Sequence, residues 1–289
     1  MVDDIIINGL TTGGVYALLA LGFALIFGVA RIINLAHTAF YMLAAYAVYA
    51  LSQEYSLNVV ASAALAVAIV PVLGLVSYKL VIERIREHET SVLIATIALA
   101  IIVQEALLKS YGGHYRGVQA LIGGYATILG VKVSHQQLLT LGVVFLVLLL
   151  TWVVLMRTRL GIAIRATAQD REVANLMGMN VSRVGMMTMG VAVVLASIGG
   201  VMVAPLWTVE PHMWLHPLVM VLAIVVLGGL GSIKGSFVAA FLIGFVETTV
   251  VYAKPEWAYL RGAISLSIML IVLLVRPEGL FGVVFEEER

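Results

Sequence analysis

Long apolar runs alternate with short polar breaks along this chain. A membrane-spanning helix needs about 20 mainly apolar residues, because each residue adds about 1.5 Å to a helix that must cross about 30 Å of hydrocarbon. The pattern predicts spanning helices at residues 5–30, 59–81, 91–108, 138–156, 184–204, 236–253 and 261–275. Two shorter apolar runs, 41–51 and 218–227, adjoin polar or glycine-rich breaks. We therefore predict roughly eight to nine transmembrane helices, with broken or re-entrant segments.

The composition agrees with a chain whose solvent is mostly lipid. Of the 289 residues, 62% are hydrophobic and only 11% are charged, which is too little polar surface to cover a soluble globule. We expect an all-α polytopic membrane protein that forms one transmembrane domain over residues 1–289. The formal net charge is +1 and the basic residues are scattered among loops, so no nucleic-acid partner is implied. The absence of cysteine excludes disulfides and thiolate metal sites.

Residues 157–183 form the longest charged stretch and carry five arginines between two apolar runs. Arginines that flank membrane spans favour the cytoplasm, so we predict a cytoplasmic loop here. Within it, residues 167–177 are polar with alanine, leucine and methionine interleaved, which predicts a short amphipathic helix that ends at Gly178 and is offered to a partner. A second basic loop, residues 83–89, lies on the same side by the count of spans. Residues 109–137 form an external loop, in which residues 131–133 indicate a short strand.

Residues 31–40 are the first polar interruption. Two interpretations stay open: a plain cytoplasmic turn anchored by Arg31, or a broken helix whose free backbone groups line a polar path. Broken backbone at membrane depth is tolerated only against protein or water. In the second case Asn34, His37 and Thr38 would face the path.

A second break separates residues 218–227 from residues 236–253. Its small residues are Gly228, Gly229, Gly231, Ser232 and Gly235. The break does not match a phosphate-binding loop, because the lysine precedes the last glycine instead of following it. We predict a tight backbone turn near the cytoplasmic face.

Glu247 is the one acidic residue well inside a predicted span. A carboxylate at this depth either faces a water path with a functional role or is paired within the bundle, and the sequence favours neither. His212 and His216 have a spacing that suits zinc on a helix face, but no third ligand is evident and two prolines flank them. We predict no metal site.

Several motifs are spread along the chain. They are Asn8-Gly-Leu, Tyr16-Ala-Leu with Gly22, Ile33-Asn-Leu-Ala-His with Tyr41-Met, Arg165-Ala-Thr-Ala-Gln-Asp through Leu176-Met-Gly-Met-Asn, Leu227-Gly-Gly-Leu-Gly-Ser-Ile-Lys-Gly, Gly244-Phe-Val-Glu and Arg276-Pro-Glu-Gly-Leu-Phe-Gly. In this order and spacing the whole chain resembles a permease subunit of the branched-chain amino acid ABC importers, the LivH type.

The resemblance implies that residues 157–183 dock on a cytoplasmic ATPase. The candidate coupling residues are Arg165, Gln169, Asp170, Arg171, Asn175 and Gly178, and the candidate translocation path is Asn34, His37, Thr38, Tyr41 and Glu247. It also implies a complex in a bacterial or archaeal cytoplasmic membrane, with a second similar permease, two ATP-binding subunits and an external solute-binding protein. The chain itself would hold no cofactor, and ATP and Mg²⁺ would lie on the partner subunits.

One departure from the family pattern bears on the substrate. Family members commonly have Gly-Glu after the histidine of the first break, whereas here Thr38, Ala39 and Phe40 follow His37. The family also moves other amino acids, amides, urea and small carboxylates, so the substrate class stays open. The alternative hypothesis is a self-contained ion-coupled transporter in which Glu247 or His37 carries a proton. An intramembrane enzyme is not supported, because no hydrolase or zinc-protease motif is present.

Overall fold

The computed structural model describes residues 2–86, 88–128 and 130–281. Met1, Glu87, Leu129 and residues 282–289, which include the last glycine of the terminal motif, lie outside the described residues. The helices are α1 (Val2–Ala30), α2 (His37–Tyr49), α3 (Val59–Ser77), α4 (Glu89–Tyr111), α5 (His135–Arg157), α6 (Arg159–Gln169), α7 (Arg171–Leu176), α8 (Val181–Val203), α9 (Leu215–Gly228), α10 (Ile233–Ala253) and α11 (Arg261–Val275).

Tighter and wider turns extend three of these helices. A π-helical turn at Ala50–Glu54 lengthens α2. A second π-helical turn at Tyr78–Ile82 lengthens α3, and one further helical turn at Glu83–Ile85 follows it. A 3-10 turn at Pro255–Leu260 precedes α11. Within the described residues, seven helices are long and apolar enough to cross a membrane, and α9 is a shorter apolar helix of 14 residues. The prediction of an all-α polytopic membrane protein with broken segments is confirmed.

Helices α1 and α10 form the centre of the bundle and run antiparallel. Gly13 and Gly244 face each other so closely that a Cβ at Gly244 would overlap the backbone of Gly13, and a Cβ at Gly13 would lie 3.0 Å from the Cα of Phe241. Small residues allow such an approach in lipid, where no hydrophobic effect drives helices together. Helix α1 is buried over most of its length, whereas the last span, residues 255–275, is almost entirely exposed on the outside of the bundle.

The first polar break folds back into the bundle. Helix α1 ends at Ala30, Arg31 has a positive φ of 57°, and α2 begins only at His37. The Nε2 atom of His37 lies 3.0 Å from the carbonyl oxygen of Leu19, which is eleven residues, about 16 Å, before the end of α1. Asn34 is fully buried. The structure therefore has the broken-helix arrangement, with irregular backbone at depth packed against protein.

The two ends of the bundle differ in positive charge. Eleven basic residues lie at the end where α1 finishes: Arg31, Lys79, Arg84, Arg86, Arg157, Arg159, Arg165, Arg171, Arg183, Lys234 and Arg276. Five lie at the other end of the described chain: Lys109, Arg116, Lys132, Lys254 and Arg261. This excess indicates that the first end is cytoplasmic, as the sequence predicted.

The external loop is Gly112–Ser134 and has its own small sheet. Strands β1 (Tyr125–Ile128) and β2 (Val131–Ser134) pair antiparallel, so the strand expected at residues 131–133 is confirmed. The backbones of Arg116 and Val209 exchange two hydrogen bonds of 2.9 Å, which join this loop to the turn before α9. The loop therefore covers the outer end of the bundle.

Candidate functional site: an outer cavity and a cytoplasmic surface

A polar cavity of about 440 Å³ opens in the outer half of the bundle. It is lined by Asn8, Thr12 and Tyr16 from α1, Tyr41 from α2, Trp207, Thr208, Glu210 and Met213 from the turn before α9, His216 and Pro217 from α9, Glu247, Thr248, Val251 and Tyr252 from α10, and Arg261 from α11. The cavity therefore depends on five helices and one loop that are distant in sequence.

Three side chains from three helices meet on the inner wall of this cavity. The hydroxyl of Tyr16 donates a 2.8 Å hydrogen bond to Oε2 of Glu247, and Nε2 of His216 lies 3.2 Å from the same hydroxyl and 3.1 Å from Oε1 of Glu247. Glu247 is 3% exposed. Since the single Tyr16 proton is directed at Glu247, a hydrogen bond between His216 and Tyr16 requires the His216 Nε2 atom to carry the proton. Oε1 of Glu247 has no hydrogen bond of acceptable geometry among the described residues.

A second cavity of about 490 Å³ adjoins the first beneath the external hairpin. The two share Asn8, Thr12 and Trp207 in their linings. Gln137 stands at this junction, where its Nε2 donates to Oδ1 of Asn8 over 2.9 Å and to the hydroxyl of Thr11 over 3.3 Å. Polar groups therefore continue from the outer surface to the wall that holds Glu247.

The structure divides the five residues of the predicted path into two groups. Tyr41 and Glu247 line the outer cavity, so they lie at one site although they are on different helices. Asn34, His37 and Thr38 are fully buried outside its lining. Asn34 holds the start of α2, because its Oδ1 accepts from the backbone N–H of Ala36 over 3.1 Å. A transport role for these three stays a prediction.

The two histidines near α9 belong to different local structures. His212 lies in the turn before α9, and His216 is in its first turn, directed at Tyr16 and Glu247. Among the described residues, no group of three or more histidine, aspartate or glutamate side chains is placed to hold a metal ion.

The cytoplasmic stretch contains two short helices where the sequence predicted one over residues 167–177, and that prediction was wrong. Asp170 breaks it: its backbone is extended at φ −148° and ψ 113°, and its Oδ1 accepts from the N–H groups of Glu172 and Val173, both over 2.9 Å. An aspartate that caps a helix in this way satisfies two free N–H groups and begins a new helix. The predicted stop at Gly178 is present, with a φ of 85°.

The six predicted coupling residues differ in exposure. Gln169, Asp170, Asn175 and Gly178 are exposed, whereas Arg165 and Arg171 are partly buried against the bundle. Nη1 of Arg171 lies 3.5 Å from the carbonyl oxygen of Ala30, so it faces the end of α1. The site prediction did not include the two most exposed apolar side chains of this stretch, which are Leu176 and Met177.

The second glycine break joins α9 to α10 through close backbone contact. Gly229 and Gly231 have φ values of 99° and 83°, which favour glycine. A Cβ at Gly228 would overlap the backbone of Gly235. Ser232 caps α10, because its Oγ accepts from the N–H of Gly235 over 3.1 Å.

The chain also returns to this break at its cytoplasmic exit. The backbone N–H of Leu280 donates to the carbonyl of Leu227 over 2.8 Å, and that of Phe281 to the carbonyl of Gly228 over 3.1 Å. Carbonyl groups at the end of α9 are therefore paired inside the protein.

Sequence reasoning named only Tyr41 and Glu247 among the lining residues of the outer cavity, and the polar residues that it missed include Tyr16, Glu210, His216 and Arg261. Tyr16 is in an otherwise apolar run, and Arg261 begins a span where a basic residue at the interface is ordinary. The signal in the sequence that could have indicated this cavity was the presence of a polar residue near the outer end of several predicted helices. The sequence could not say which of these ends meet.

Together, the apolar helices, the broken segments and the polar cavity define a multi-pass membrane protein with a polar site in its outer half. The sequence of residues 5–273 matches the family described as the permease component of the branched-chain amino acid transport system. The chain belongs to this family of ABC permeases, and it is accordingly a multi-pass protein of the inner membrane.

Two relatives match over nearly the full length. The chain is 28% identical to the high-affinity branched-chain amino acid transport system permease protein BraD of Pseudomonas aeruginosa, covering 96% of this chain and 94% of the relative. It is 26% identical to the corresponding permease protein LivH of Escherichia coli K12, covering 95% and 94%. Among solved structures, a chain of PsaBC from Streptococcus pneumoniae in complex with Fab has a TM-score of 0.53 at 18% identity, covering 95% of this chain and 92% of that one. This last likeness concerns the fold alone.

Proposed function

We propose that this chain is the permease subunit of an ATP-driven importer for branched-chain amino acids or related small polar solutes, such as other amino acids, amides, urea or small carboxylates. It forms the translocation path and is driven by a separate ATPase. The observation that carries the proposal is the family match over residues 5–273, because the relatives that cover the whole chain are named as branched-chain amino acid permeases.

The two ends of the bundle offer separate surfaces to the proposed partners. On the arginine-rich side, Leu176 at the end of α7 and the following Met177 form an apolar pair that is 84% and 77% exposed. Contiguous exposed apolar patches that polar residues surround mark protein contacts. We assign this surface to one of two ATP-binding subunits, which hold ATP and Mg²⁺. The outer cavity is on the opposite side, where an external binding protein delivers the solute, and a second permease subunit completes the complex.

The test is solute uptake into vesicles that contain this chain with its second permease and ATPase subunits and the binding protein. We expect leucine uptake that requires ATP, and a large loss of uptake for Leu176→Ala because its side chain fills a contact on the ATPase. Leu274→Ala is the matched control, since Leu274 is also strongly exposed, at 77%, but lies near the end of α11. It should keep wild-type uptake.

Two results contradict the proposal. Uptake that this chain supports alone and that follows a proton gradient would indicate an ion-coupled transporter. Equal uptake by Leu176→Ala and Leu274→Ala, with ATP hydrolysis still coupled, would show that α7 is not the coupling surface.

A further inference from the structure

We propose that the outer cavity binds a zwitterionic α-amino acid, with Glu247 receiving the ammonium group and Arg261 receiving the carboxylate. This inference rests on the proposed function and adds to it the residues that recognise the solute. Nothing in the family assignment or in the names of the relatives places a solute at these residues.

The first step is the Oε1 atom of Glu247, which makes no hydrogen bond among the described residues. Oε2 accepts from the Tyr16 hydroxyl over 2.8 Å. The nearest group to Oε1 is Nε2 of His216 at 3.1 Å, which also lies 3.2 Å from the Tyr16 hydroxyl, and one ring N–H makes only one good hydrogen bond. A buried carboxylate oxygen in this state is unfavourable. A cationic donor that enters the cavity would satisfy it.

The second step is the cation at the outer edge. Arg261 lines the same cavity, is exposed, and has no ion-pair partner among the described residues. Glu247 and Tyr16 line this cavity as well, so the guanidinium and the buried carboxylate belong to one site. A guanidinium group offers paired donors that match a carboxylate.

The third step is the wall between the two charges. Trp207, Met213 and Val251 provide apolar surface in the same lining. The volume of about 440 Å³ is within the range of about 300–1,000 Å³ that small-molecule sites usually have. An ammonium group at depth, a carboxylate at the edge and an apolar wall match a neutral aliphatic amino acid better than a sugar, an amide or a simple anion.

One other acid could take the ammonium group. Glu210 also lines the cavity, but it is less buried and comes from the turn before α9. We assign the ammonium group to Glu247, because a buried carboxylate oxygen that lacks a hydrogen bond gains more from a cationic donor than a hydrated one does.

The experiment measures binding to the purified permease–ATPase complex in the absence of the binding protein, so that the affinity of the latter does not hide the site. The probes are leucine, leucinamide, which keeps the ammonium group but lacks the carboxylate, and 4-methylpentanoate, which keeps the carboxylate but lacks the ammonium group. Glu247→Gln should weaken leucine and leucinamide binding by roughly tenfold to a hundredfold, as expected for one charge-assisted hydrogen bond, and leave 4-methylpentanoate unweakened. Arg261→Gln should weaken leucine and 4-methylpentanoate and leave leucinamide unchanged.

Matched controls separate recognition from structure. Glu256→Gln removes a carboxylate from the outer turn before α11, outside the cavity lining, and should bind all three probes as the wild type does. Glu210→Gln should keep the Glu247-dependent preference for ammonium-bearing probes. Arg261 is exposed, so its variant tests the proposal even where Glu247→Gln fails to fold.

Several outcomes overturn the site. The first is a wild-type complex that transports leucine but does not bind it. The second is an equal effect of Glu247→Gln on all three probes, and the third is an unchanged affinity of Arg261→Gln for 4-methylpentanoate. The fourth is a loss of the preference for ammonium-bearing probes in Glu210→Gln instead of Glu247→Gln. A parallel measurement of ATP-driven uptake by the wild type distinguishes failure of the proposed binding site from failure of the proposed transport function. Uptake without these binding effects rejects only the site, whereas absence of ATP-driven uptake rejects the proposed function.

Discussion

The hydroxyl of Tyr16 in α1 donates a 2.8 Å hydrogen bond to the carboxylate of Glu247 in α10. Both side chains are buried, and the bond joins the two central helices a few residues from the Gly13–Gly244 contact. A carboxylate in the membrane is costly unless a donor faces it. Tyr16 therefore supports the position of Glu247 in the cavity as well as the packing of the helices.

Removing this hydroxyl should destabilise the protein. We expect Tyr16→Phe to lower the free energy of unfolding by about 1–3 kcal/mol, because Glu247 then loses its one well-aligned donor in a buried place. The midpoint of thermal unfolding in detergent measures this. Tyr46→Phe is the control, since the buried Tyr46 hydroxyl has no hydrogen-bond partner among the described residues and its loss should be neutral or stabilising. Equal effects of the two changes would contradict the assignment.

The contact between α1 and α10 should tolerate no side chain at Gly244. A methyl group there overlaps the backbone of Gly13, so Gly244→Ala should force the helices apart and abolish accumulation of the folded protein. Gly142→Ala adds the same group to α5, where it meets nothing within 4 Å. The control variant should be as stable as the wild type or more stable by up to about 1 kcal/mol, because alanine favours a helix over glycine. Expression and size-exclusion profiles report both outcomes.

The orientation of the bundle can be checked by cysteine labelling, because the natural chain contains no cysteine. Tyr115 is exposed in the external loop, and Asn175 is exposed in the arginine-rich stretch. In intact cells stripped of their outer membrane, a membrane-impermeant maleimide should label Tyr115→Cys at once and Asn175→Cys only after lysis. The reverse pattern would place the outer cavity on the cytoplasmic side and reject both proposals made for it.

The cap at Asp170 provides a graded test of the cytoplasmic surface. Asp170→Ala removes the acceptor for two N–H groups and should destabilise the start of α7 by about 0.5–2 kcal/mol, which disorders the exposed Leu176 and lowers ATP-driven uptake. Asp170→Asn keeps an acceptor oxygen and should retain most of the uptake. If the alanine and asparagine variants are equally impaired, the charge of Asp170 acts directly on the partner and the cap is not the cause.

The sequence by itself determined the class of fold. Apolar runs of spanning length, arginines beside them and the lack of polar surface predicted the membrane helices and their orientation, since these follow from local composition and the thickness of the bilayer. Local chemistry also predicted the stop at Gly178 and the strand at residues 131–133. It did not place the break at Asp170, because the same residue is acceptable within a polar helix and as a cap.

Only the tertiary structure decided which polar residues share a site. In the sequence, His37 and Glu247 are both ionisable residues within apolar surroundings. In the structure, His37 is packed against the backbone of α1, whereas Glu247 lines a cavity. Tyr16, His216 and Arg261 join Glu247 only because α1, α9, α10 and α11 converge at the outer end. Hydrophobic patterning specifies that a helix is buried in the membrane. Close packing of small residues such as Gly13 and Gly244 specifies which faces meet, and that information is shared between distant segments of the chain.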